Sequence, residues 1–172
     1  MKDRLEKCFK GTKEIPPRII RKKPDAETAM AHLEKVEGNI LAMEKMFNEK
    51  YFDWTIVAAY YSMYHSVLAA LRVIGLDARS HECAILAFEK FYTKKGKVDE
   101  KYVVYLRQAK ELSEKYSETL EKVKTLRVEA SYGTGGIKST DAAFAMTSAK
   151  EFASEIRKIV HEARGISYHK MG

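Results

Sequence analysis

Trp54-Thr55-Ile56-Val57-Ala58-Ala59-Tyr60-Tyr61-Ser62-Met63-Tyr64-His65-Ser66-Val67-Leu68-Ala69-Ala70-Leu71 runs for 18 residues without Asp, Glu, Lys or Arg. That approaches the ~20 apolar residues of a membrane span. Thr55, three tyrosines, Ser62, His65 and Ser66 argue against lipid contact, because hydrocarbon leaves such groups without partners. The stretch reads instead as the central helix of a bundle, buried on more than one side. Ile56, Tyr60, Met63, Val67, Ala70 and Ile74 recur at alternating spacings of four and three, the period of one helix face. Asp53 is placed to cap this helix and Gly75 to stop it.

The same period extends to both sides. Upstream, Asp25 caps a helix whose seam is Ala29, Leu33, Val36, Ile40, Met43 and Phe47. Downstream, Ser80 opens a shorter helix to about Thr93 with Ala84, Ile85, Phe88 and Phe91, and Gly96 breaks it. A fourth helix is expected from about Asp99 to Ser131 along Tyr102, Leu106, Ala109, Tyr116, Leu120 and Val123. After a turn at Gly133–Gly136, Ser139 or Thr140 opens a fifth, with Ala145, Ala149, Phe152, Ile156, Ile159 and Ala163. No window alternates like a strand. These spacings predict an all-α, five-helix up-and-down bundle over residues 24–172.

A length of 172 residues suits one domain, and 45% hydrophobic with 32% charged residues is a globular composition. Residues 1–23 form a separate basic leader with nine cations and three anions, whereas the rest has 22 cations and 21 anions. The net charge of +7 is thus almost entirely the leader's. Residues 1–9 suit a short helix. Residues 11–23 should be extended, since Pro16, Pro17 and Pro24 disfavour helix at and before them. The leader either packs on the body or is a mobile arm. Cys8 and Cys83 are too few for a disulfide framework, and without a signal peptide the chain reads as cytoplasmic.

Several residues invite chemistry. Tyr60, Tyr61, Tyr64 and His65 crowd one turn, and Tyr61, His65, Leu68 and Arg72 make a second stripe beside the apolar seam. Aromatic rings with polar tips suit core or dimer packing, or a base-stacking surface. His81, at a helix start, is a phosphate contact or an ordinary polar residue. Gly133-Thr134-Gly135-Gly136-Ile137-Lys138-Ser139-Thr140 fails the phosphate-loop pattern at Ile137 and follows no strand. Its plain reading is a helix stop and cap; the functional one is a phosphate held by helix-start amides and Lys138. No histidine follows a glutamate by three residues, and His81 with Cys83 supplies only two ligands, so no metal or other cofactor is expected.

Ala58-Ala59-Tyr60-Tyr61-Ser62-Met63-Tyr64-His65 resembles the Ala-x-Tyr-Tyr-x-Met-Phe-His signature of HEPN domains. Gly75, Ser80-His81, the aromatic Phe91-Tyr92, Arg127-Val128-Glu129-Ala130-Ser131-Tyr132 and a last helix with Ala149 and Phe152 follow in the family's order. The likeness covers roughly residues 29–163 and leaves out the leader. It implies a five-helix bundle that forms homodimers, commonly works beside a minimal nucleotidyltransferase as a toxin–antitoxin pair, and in several branches is a metal-independent ribonuclease. In those branches an Arg-x(4–6)-His motif from two subunits meets in one cleft, and the RNA's own 2′-hydroxyl attacks.

The chain departs from that motif, as in a prokaryotic branch with Arg-x4-Tyr. Tyr132 replaces the histidine and Val128 a polar residue. A histidine near pKa ~6.5 exchanges protons at neutral pH, and a tyrosine near ~10 does not. Tyr132 can still donate a hydrogen bond or stack, and Arg127 can hold a phosphate by two bonds. Residues five apart lie about 140° apart around a helix, so the two converge only across a helix end or a dimer. The plainer reading pairs Arg127 with a carboxylate and packs Tyr132 at the helix end.

The resulting expectation is a HEPN-like homodimer that binds RNA or nucleotide phosphates through Arg127, Tyr132, His81, Tyr61, His65 and Lys138, beside a nucleotidyltransferase and without a membrane. One alternative is an active ribonuclease toxin with His65 or His81 as base. Another is a non-catalytic interaction module.

Overall fold

The computed structural model describes residues 2–111 and 137–165. Helix α1 spans Lys2–Lys10, strand β1 Ile19–Arg21, α2 Ala26–Asn48, α3 Phe52–Val73, β2 Leu76–Ala78, α4 His81–Phe91 and α6 Ser139–Ala163. Between the last two, a 3-10 turn at Thr93–Lys95 leads to α5, which begins at 101 and is described to 111. The class is all-α, as the periodicity predicts. The added helix is α1, in the leader. The continuation of α5 to Ser131 and the Gly133–Gly136 turn lie outside the described residues.

Side-chain caps mark the starts of α2 and α5. The Asp25 side chain accepts from the Thr28 backbone N–H at 2.8 Å and caps α2. The Asp99 carboxylate accepts from the Lys101 N–H at 2.8 Å and opens α5. At α3 the N-cap is Tyr51 rather than Asp53, which sits in the first turn, where its charge complements the helix dipole.

α2 and α3 form an antiparallel hairpin. Along α6, Lys150 pairs with Glu44 and Arg157 with Glu37, so α6 runs antiparallel to α2 and hence parallel to α3. Aromatic side chains fill the centre. Phe88 of α4 meets Phe152 of α6 edge-on at 5.5 Å, and the buried Tyr92 hydroxyl donates to the Ala70 carbonyl at 2.5 Å. That bond satisfies a phenol that burial would otherwise penalise.

Two expectations are corrected here. Cys8 and Cys83 form a disulfide, with Cα atoms 5.7 Å apart across 75 residues of chain. A count of two does not reveal that folding brings them together. The chain also contains a strand pair: β1 and β2 are antiparallel, with Ile19 opposite Ala78, Ile20 opposite Asp77 and Arg21 opposite Leu76. Three-residue strands are too short to show alternation.

Strand pair and disulfide together dock the leader on the body. Leu5, Cys8 and Ile19 are buried, and the Arg21 guanidinium lies 4.7 Å over the Phe9 ring. Gly75 makes the close approach possible. Its φ of +73° suits glycine, and a Cβ there would sit 2.3 Å from the Lys22 carbonyl oxygen. The Lys22 N–H in turn donates to the Gly75 carbonyl at 2.8 Å.

Candidate functional site

The crowded turn of α3 presents two adjacent faces. Tyr60 and Tyr64, one turn apart, are buried toward α4, while Tyr61 and His65 turn outward, Tyr61 being 41% exposed. The first residue of α4, His81, enters between these tyrosines. Its ring stacks on Tyr64 at 4.0 Å and 19°, and Tyr61 meets it edge-on at 6.3 Å. The Tyr60 hydroxyl hydrogen-bonds His81 Nδ1. That contact engages Nδ1 and fixes the orientation of the ring. Burial raises the Tyr64 phenol above its ordinary pKa, which keeps it a protonated donor at neutral pH.

His65 has a partner across the hairpin. Its Nδ1 lies 3.2 Å from Nδ1 of His32 on α2, with the rings stacked at 5.4 Å. Such a contact needs one donor and one acceptor. Burial, then the charges of His65, Arg72 and Lys35, hold His32 down to about 4, against the weaker opposing pull of Asp77. His65 is also lowered, by burial and then by Lys35 and His81. Both rings are therefore predominantly neutral at pH 7 and retain lone pairs.

Three imidazoles and three phenols thus meet where α2, α3 and α4 join. Of the residues singled out in the sequence, Tyr61, His65 and His81 belong here. Arg72 lies below, bonded to Asp77 at 2.7 Å. Lys138 does not join them. Ile56 and Met63 of α3 share a groove of about 440 Å³ with Asp141 and Ser148 of α6. That register puts Lys138, the α6 N-cap, about three turns from His65. Arg127 and Tyr132 lie outside the described residues. His32 escaped the sequence reading; three residues after Ala29 and four before Val36, it flanks the seam that Leu33 occupies.

A family model for the HEPN domain matches residues 29–160. The chain belongs to the HEPN family. Two relatives from Methanocaldococcus jannaschii are similar to it. "Putative toxin MJ0605" is 25% identical over 136 residues, 79% of this chain and 91% of that protein. "Putative toxin MJ0142" is 28% identical over 77 residues, 45% of this chain, which spans about half (52%) of that protein. The α2–α4 imidazole cluster lies inside the HEPN match, and the docked leader lies outside it. Among the described residues, no helix of this HEPN protein is long and apolar enough to cross a membrane.

Proposed function

We propose that this HEPN protein is a toxin-like homodimer that binds RNA or nucleotide phosphates in a cleft shared by two copies, as partner of a minimal nucleotidyltransferase. The observation that carries the reading is the caging of His81 by Tyr60, Tyr61 and Tyr64 beside the His32–His65 pair. A half-exposed tyrosine can stack on a base, and imidazole and phenol groups can donate to phosphate. The names of the two relatives agree with a toxin-like role. In this reading Arg127 adds a permanent positive charge and Tyr132 a further donor. Binding comes ahead of cleavage because Tyr132 stands where the proton-exchanging histidine would be.

Fluorescence anisotropy with ATP and a labelled RNA tests this. His81→Ala and Arg127→Ala should each weaken binding about tenfold or more, with sedimentation reporting a dimer. Binding unchanged in both variants overturns the reading.

The ribonuclease alternative gains one specific observation: His65, neutral at pH 7 and grouped with two other imidazoles, can accept a proton from a 2′-hydroxyl. Incubation with total RNA in a chelator, beside Arg127→Ala, decides it. An undegraded RNA pool removes the alternative.

A further inference from the structure

The β1–β2 pair carries a charge arrangement that the fold does not resolve internally. Ile19 lies opposite Ala78, so the next pair outward is Arg18 and Arg79, and the Arg79 N–H donates to the Arg18 carbonyl at 2.8 Å. Alternation puts Arg18, Ile20 and Lys22 on one sheet face together with Asp77 and Arg79. Two arginines directly opposite repel. Asp77 sits among the cations, with Arg72 at 2.7 Å, Lys22 at 2.9 Å and Arg79 only at 3.9 Å. Asp25 adds negative charge near Arg72. Arg18 has no carboxylate within ion-pair reach among the described residues. Four cations thus share two carboxylates, and Arg18, Arg79 and Lys22 are open to solvent.

This face is held in place. Gly75 brings β1 against β2, and the Cys8–Cys83 bond ties the preceding α1 to α4. It also joins the imidazole cluster, because Arg79 precedes His81 by two residues, at most about 7 Å of extended chain.

We infer that the Arg18–Arg79 pair, with Lys22 beside it, is a second phosphate-binding site, one that takes the backbone of an RNA strand whose adjoining nucleotide reaches the His81 cluster. A phosphate between two guanidiniums accepts paired hydrogen bonds and removes their repulsion. The inference rests on the proposed RNA reading and deepens it. A strand has a phosphate for each site whereas a mononucleotide has only one, so the Arg18–Arg79 site favours a strand. Most of this site lies in the leader, outside the HEPN match.

The test is anisotropy of a labelled 12-nucleotide RNA on the full oxidised chain at several salt concentrations. Arg18→Ser/Arg79→Ser should weaken RNA binding roughly tenfold and lower the log–log salt slope by about 1.4, as expected for two lost contacts to a single strand. Arg18→Lys/Arg79→Lys should recover most of the affinity. AMP and inorganic phosphate, competed at the His81 cluster, should bind the Ser variant as they bind wild type. Lys94→Ser/Lys95→Ser removes the same charge elsewhere and should leave the slope unchanged. A normal slope in the Arg18/Arg79 variant overturns the ribbon site and leaves the proposed function standing. Inorganic phosphate displacing RNA from the ribbon at equal concentration reduces it to a free-phosphate site. Wild-type protein that binds no RNA overturns both.

Discussion

His32 and His65 face each other across the α2–α3 hairpin with their Nδ1 atoms 3.2 Å apart. The pair cannot form this bond with both rings charged, because one nitrogen must accept. His32 is held to about 4 in the folded chain, against about 6.5 when unfolded. Between those values the unfolded chain takes up a proton that the folded chain refuses. The His32 contribution to stability is therefore complete above about pH 6.5 and is lost as pH falls toward about 4. Urea midpoints at pH 4.5, 5.5, 6.5 and 7.5 should fall on acidification by the equivalent of roughly 2 kcal/mol, allowing for solvent screening of half-buried rings. His32→Asn should flatten that dependence.

Tyr60 sets the tautomer and orientation of His81. Tyr60→Phe removes the hydroxyl at Nδ1 and should cost about 1 kcal/mol in stability. Nitrogen NMR of the imidazole should show a changed tautomer balance. RNA affinity should fall, though by less than in His81→Ala. An unchanged imidazole spectrum would mean that the hydroxyl does not govern His81.

Reduction should loosen the leader before it unfolds the body. The Cys8–Cys83 bond closes a loop of 75 residues, for which chain entropy gives about 4 kcal/mol. Cys8→Ser, or wild type in reductant, should lose roughly 2–4 kcal/mol in chemical denaturation. Amide exchange should rise first in α1, where Leu5 and Cys8 are the buried side chains.

Gly75 is the tightest point of the leader's docking. Gly75→Ala places a Cβ against the Lys22 carbonyl and forces a residue with φ of +73° to carry a side chain. A loss of about 2 kcal/mol or more is expected, with exchange protection falling across β1 and β2. Gly38→Ala in α2, where a Cβ meets nothing within 4 Å, should instead be neutral or stabilising.

The sequence alone fixed what depends on local order. Periods of three and four located α2, α3, α4 and α6, Asp25 announced its cap, and the Ala58–His65 signature pointed to the family. It also flagged Tyr61 and His65, because helix spacing puts ring-bearing residues on neighbouring faces, and His81, because it opens a helix. Only the tertiary structure paired His32 with His65, Cys8 with Cys83 and Arg18 with Arg79. The first two pairs are separated by 33 and 75 residues, and no period links positions so far apart. Which residues of different elements touch is decided by how helices pack and strands register. A docked leader is a property of that packing, and the composition of residues 1–23 fits a mobile arm equally well.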